Sequence, residues 1–118
     1  MGDRICLTFV SKKPYDERSP VLYAHWAGTQ LIKDAQRFWE LYVEEERQDD
    51  SPYPGTIRTE PSNFMVNFLQ WLLKGKVYDG DYYLYPDEEH CCSPDDNGFW
   101  ELDTDTGEVT HTQRGEWE

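Results

Sequence analysis

Apolar and polar positions alternate from the start of the chain. Residues 4–10 (Arg-Ile-Cys-Leu-Thr-Phe-Val) predict a first strand, with Ile5, Leu7 and Phe9 on one face and Cys6, Thr8 and Val10 on the other. The polar run 11–20 predicts a loop, after which Pro20 leads into a second strand over residues 21–26. Nothing in this connection resembles a crossover helix, so the two strands are expected to pair antiparallel. Gly28 and Thr29 break the second strand, with Thr29 the expected N-cap of a helix. Leu31, Ile32, Ala35, Phe38, Trp39, Tyr42 and Val43 then recur at helical spacing, while Lys33, Gln36, Arg37, Glu40 and Glu44 mark the opposite side. The run Asp49-Asp50-Ser51-Pro52-Tyr53-Pro54-Gly55 opposes helix continuation.

A second helix is predicted over residues 61–74. Pro61 suits its first turn, Phe64, Met65, Phe68, Leu69, Leu72 and Leu73 form its apolar stripe, and Gly75 is placed to adopt a left-handed C′ conformation. Val66 and Trp71 widen the stripe. The last third is strand material cut by turns. Tyr82–Tyr85 is stopped by Pro86, Pro94–Gly98 is a turn, and residues 99–103 and 108–111 predict a hairpin around Thr104–Gly107. The tail from Thr112 to Glu118 is expected to fray, unless Trp117 docks on the body.

These periods define an α+β class: one domain over residues 1–118, with a mostly antiparallel sheet of four or five strands and two helices on one face. Ile5, Leu7, Phe9, Phe38, Trp39, Phe68 and Leu72 are expected to meet in one core. At 118 residues the chain can bury such a core without a metal or disulfide. Aromatic residues make up 15% of it, which argues against reading its acidity as disorder.

Charge changes the picture more than composition does. Residues 1–78 carry 11 acids against 10 Lys or Arg, whereas residues 79–118 carry 13 acids against Arg114 alone, within a net charge of −13. A surface so charged repels a phosphate backbone, which argues against direct binding of nucleic acid or an anionic membrane. The bland reading is a solubilising surface; the functional alternatives are a basic protein partner, a divalent cation or mimicry of nucleic acid. The three cysteines, Cys6, Cys91 and Cys92, are an odd set with two adjacent, a poor disulfide framework. No stretch approaches the ~18 apolar residues of a spanning helix. The opening shows no secretory pattern, and Gly2 lacks the Ser or Thr that a myristoylation motif wants at position 6. A cytoplasmic location is the simplest expectation.

Candidate chemistry concentrates where the second strand gives way to the first helix. In Tyr23-Ala24-His25-Trp26-Ala27-Gly28, His25 is a possible acid or base, and the nearby helix N–H groups attract anions. The bland alternative is a structural histidine tying the turn, with Trp26 in the core. The opening Met1-Gly2-Asp3-Arg4, followed by Tyr23-x-His25-Trp26-x-Gly28, resembles a family of small uncharacterised proteins of bacteria, archaea and their phages. The resemblance covers roughly the first 35 residues. It implies weight on Asp3, Arg4, Tyr23, His25, Trp26 and Gly28 without implying a reaction. Many members follow the glycine with Leu-Pro where this chain has Leu31-Ile32, and the Gly-rich stretch they carry after the second helix is missing here.

Antiparallel pairing brings Asp3 to the end of the strand holding His25, where the carboxylate could fix the imidazole tautomer and leave Arg4 for an anion. No serine or cysteine is placed to complete an acyl-transfer triad. His90-Cys91-Cys92 has the wrong spacing for zinc even with His25, Cys6 or His111 as a further ligand, so no metal and no cofactor is expected. Asp103-x-Asp105-x-Gly107 fits a hairpin turn better than a calcium loop, and Asp95-Asp96-Asn97-Gly98 fits another turn. Two functional readings follow. One is a small acidic interaction or accessory domain. The other is a small enzyme or ligand-binding protein centred on Asp3, Arg4, Tyr23, His25 and Trp26.

Overall fold

Strand β1, Ile5–Ser11, organises the molecule because neighbours flank it on both sides and its two faces have different fates. The computed structural model describes residues 3–12, 16–47, 60–77, 80–90 and 96–112. Met1 and Gly2 of the opening motif, the 49–55 breaker, Cys91, Cys92, Pro94, Asp95 and the tail beyond Thr112 lie outside the described residues.

On one side of β1 run β2 (Glu17–Arg18) and β3 (Val21–Ala24), both antiparallel to it. Helices α1 (Gln30–Arg47) and α2 (Pro61–Leu72) follow, and the chain re-enters the sheet as β4 (Tyr82–Tyr85), antiparallel to β3. A one-turn 3-10 helix at Glu88–His90 leads towards β5 (Phe99–Asp103), which pairs with the other side of β1. Strand β6 (Val109–Thr112) closes the hairpin. The order is β4-β3-β1-β5-β6 with β2 beside β1, and every pairing is antiparallel except β1–β5, which is parallel. The expected α+β fold is therefore observed, with a central parallel pair and a two-residue strand inside the run expected to be loop.

Residues 17–24 lie along a single edge of β1, interrupted by one extra residue. The register pairs Val10 with Arg18 but Leu7 with Leu22, so one residue of Ser19–Pro20 has no counterpart. The Ser19 hydroxyl accepts the Phe9 N–H at 3.0 Å, and the Ser19 N–H donates to the Phe9 carbonyl at 2.9 Å. Proline has no N–H to give the ladder, and the serine side chain supplies the missing contact.

Ile5, Leu7 and Phe9 face the helices together with Leu22, Ala24 and Leu102. Against them pack Leu31, Ile32, Ala35 and Phe38 of α1 and Phe64, Met65 and Phe68 of α2, with Trp39 and Leu72 at the margin. Phe9 meets Phe64 and Phe68 edge-on at 4.8 and 5.4 Å between centroids. Each such pair adds about 0.5–1.5 kcal/mol beyond area burial. The predicted core is thus present, with Trp39 and Leu72 as its rim. Trp39 also donates its indole N–H to the Thr104 carbonyl at 2.8 Å, tying α1 to the β5–β6 turn.

The helices start where expected, and α2 ends two residues earlier than expected, which puts Gly75 one position beyond C′. Thr29 occupies the N-cap position of α1, its carbonyl accepting the Lys33 N–H. Pro61 opens α2, and Gly75 takes a φ of 82° just past the C-cap Leu73. The start of α2 has no local side-chain cap. Glu17 of β2 fills that role from a distance, accepting both the N–H and the hydroxyl of Ser62 at 2.9 Å.

Neither α1 nor α2 contributes to the cluster on the other sheet face. Cys6, Val21, Tyr23 and Phe99 cluster there, with Tyr85 against them. Among the described residues no helix is long and apolar enough to cross a membrane.

Candidate functional site

Two places merit attention: the seam where β1 begins and β3 ends, and a cleft on the sheet face opposite α1 and α2. At the seam the β1–β3 register pairs Ile5 with Ala24, and its extension by one residue sets Arg4 opposite His25. Alternation puts Asp3 with Ile5 and Leu7 on the helix-bearing side, and His25 with Val21 and Tyr23 on the other. Asp3 and His25 are joined through their backbones, the Asp3 N–H donating to the His25 carbonyl at 2.8 Å. Their side chains take separate partners. The Asp3 carboxylate accepts the Asn97 amide N–H at 2.6 Å, while His25 Nδ1 lies 3.1 Å from the Tyr23 hydroxyl.

The rest of the seam is a set of backbone ties. Gly28 donates its N–H to the Asp3 carbonyl at 2.9 Å and holds a φ of 61°; a Cβ there would overlap the Asp3 carboxylate. Asn97 donates to the Arg4 carbonyl from both its backbone and its side chain, and the Arg4 N–H donates to Asp96 Oδ2 at 2.9 Å. Asp81 Oδ1 accepts the N–H groups of His25 and Trp26 at 3.0 and 2.7 Å. This last pair corrects the expectation that Trp26 could fill the core. The strand ends at Ala24, Asp81 captures the two bent residues, and Trp26 turns outward to stand 58% exposed. Its ring lies edge-on to His25, 4.9 Å between centroids.

Asp3, Arg4, Tyr23, His25 and Gly28 meet at this seam together with Asp81, Asp96 and Asn97. In the sequence Asp96 and Asn97 read only as part of a turn, and Asp81 carried no signal of its own. They are short polar residues in turns, and the one available signal was their position directly before strands. Most of the polar atoms described here are engaged in tying main chain.

The cleft has a different character. It encloses about 530 Å³ and is lined by Thr8, Ser19 and Val21 of the sheet, by Pro86, Asp87, Glu88 and Glu89 of the β4–β5 connection, and by Arg18 and Glu101. The floor belongs to the sheet. Thr8 and Glu101 are direct partners in the β1–β5 pairing and share the sheet face opposite α1 and α2. The connection passes over that side and brings Glu88 towards Glu101. Arg18 spans the gap, its guanidinium 2.6 Å from Glu101 and 3.5 Å from Glu88. Four carboxylates and one guanidinium thus surround the space. Alternation could have pointed to Glu101, an acid on the same strand face as the buried Phe99, but nothing local connects it with Arg18.

The remaining motifs resolve as turns. Asp103 Oδ1 accepts the N–H groups of Asp105 and Thr106, and Gly107 sits at a φ of 80°. His111 stacks flat on Trp100 at 4.1 Å, and Cys6 is buried. Among the described residues no cluster of His, Cys, Asp or Glu is arranged to hold a metal ion. No family model, curated protein or solved structure matches this chain.

Proposed function

We propose that the protein is an acidic interaction domain that receives a basic segment of a partner protein on the side of its sheet opposite α1 and α2. The observation that supports this is the cleft lined by Asp87, Glu88, Glu89 and Glu101 with Arg18 as the cation among its described lining residues. The charge of the whole chain points the same way, since the acids outnumber the bases 13 to 1 beyond residue 78. Complementary charge of this kind sets encounter rate and partner choice more than final affinity. Calorimetric titration with a lysine- and arginine-rich peptide at low ionic strength should give binding that weakens as salt rises. An acidic peptide of equal length should give none. Equal binding of both peptides, or binding of neither, would reject the reading.

The second reading is a ligand site at the seam. It is favoured by one observation, the exposed Trp26 ring beside a half-buried His25. The likeness to small bacterial, archaeal and phage proteins belongs with it as a proposal, and the shared positions are those that converge at this seam. Against it stands the number of seam groups already committed to backbone.

A further inference from the structure

We infer that the outer edge of β4 takes an extended segment of the partner as an added strand, an apolar run with lysine or arginine at its ends. This rests on the interaction reading above and adds the backbone that holds the segment. Strand β4 ends the sheet, with β3 as its one neighbour among the described strands. The direction of its peptide groups follows from the register. The His25 N–H donates to the Asp81 carbonyl at 3.1 Å, and hydrogen-bonded pairs recur every second residue along an antiparallel ladder. Tyr23–Tyr83 and Val21–Tyr85 are therefore the bonded pairs that follow. The N–H and carbonyl of Leu84, between them, point off the sheet, and no other described residue hydrogen-bonds them.

Apolar surface flanks this open peptide on both sides. Leu84 pairs with Leu22 on the helix-bearing face and is 52% exposed, while Tyr83 pairs with Tyr23 on the opposite face and is 48% exposed. From Tyr82 to Tyr85 the strand has no charge, proline or bulge, the devices that ordinarily keep an edge from pairing. Charge then selects the occupant. Asp81 precedes the strand, and Asp87, Glu88 and Glu89 follow it. A second copy running antiparallel would lay its own Asp87, Glu88 and Glu89 beside Asp81, and a parallel one would set Asp81 against Asp81. Like charges brought opposite each other destabilise a strand pair, and the net charge of −13 on each copy adds to the repulsion. A segment with basic ends meets opposite charge at both ends, while its alternate side chains rest on Tyr83 and Leu84.

The decisive test is amide hydrogen exchange in the full chain, read by nuclear magnetic resonance, with the peptide acetyl-KKVTVTKK-amide as probe. Saturating peptide should slow exchange of the Leu84 amide about tenfold or more, and leave the Tyr83 and Tyr85 amides, which face β3, within about twofold. The same peptide with its valines and threonines N-methylated cannot complete the ladder and should protect nothing. Glutamate in place of the lysines should weaken binding several-fold, and so should Glu89→Lys in the protein. Leu84→Pro removes the outward N–H and spares the bonds to β3, so it should abolish binding with the fold intact. The N-methylated peptide decides the point if that variant fails to fold. Binding of the lysine-ended peptide with Leu84 exchange unchanged would overturn the inference and leave the interaction domain standing. Its failure to bind at all rejects both. Equal protection by the glutamate-ended peptide would overturn the basic occupant, and Leu84 protection that rises with protein concentration alone would hand the edge to a second copy.

Discussion

Gly28 and Asn97 show how single residues hold the seam, and they separate a lock from a reactive site. Gly28→Ala forces a side chain into the left-handed region, at about 1–2 kcal/mol, and drives a methyl group into the Asp3 carboxylate. A denaturant titration should register a loss of about 2 kcal/mol or more, and a loss below about 0.5 kcal/mol would mean that the carboxylate moves aside freely. Asn97→Ala removes donors to Asp3 and to the Arg4 carbonyl, with an expected cost of about 1–3 kcal/mol. His25→Gln should cost less, about 1 kcal/mol or under, because its ring makes one hydrogen bond at the half-exposed rim. The reverse order would make His25 the structural centre of the seam and Asn97 an accessory.

At the scale of elements, the sheet and helices meet through a few aromatic rings, and Phe68 is the most committed of them. It is fully buried and contacts Phe9, Phe38 and Trp71. Phe68→Ala should cost about 3–5 kcal/mol, whereas Val66→Ala on the exposed side of α2 should stay within about 1 kcal/mol. Comparable losses at both positions would contradict the packing of α2 on β1. This face was legible in sequence because helical and strand periods are local properties: Phe64, Met65 and Phe68 recur every three or four residues, and Ile5, Leu7 and Phe9 every second one. Strand β2 was not, since two residues such as Glu17 and Arg18 have no period. The neighbour of Phe99–Asp103 was hidden too, because alternation fixes a strand's faces and says nothing about which edge it meets. The seam was half legible. Asp3 and His25 could be brought together by antiparallel pairing, but their opposite faces and the claim of Asn97 on the carboxylate depend on a turn some 90 residues downstream.

For the molecule as a whole, the parallel pairing of β1 with β5 sets an order of events in time. Cys6 pairs with Phe99, so completing the central strand closes a loop of roughly 90 residues, while β1, β2 and β3 can meet through short turns. Contacts so distant along the chain slow folding more than they affect final stability. During synthesis the first strand emerges early and keeps one edge unpaired until the last third arrives. That edge is largely apolar and carries the Cys6 N–H that the Gly98 carbonyl will accept, so the growing chain is exposed to aggregation until residues 99–103 have emerged. Stopped-flow refolding should therefore respond unequally to two truncations of buried residues. Leu22→Ala, in the early pairing, should slow refolding, whereas Leu102→Ala should act mainly by speeding unfolding. A chain ending at residue 97 should expose the first strand permanently and collect in aggregates.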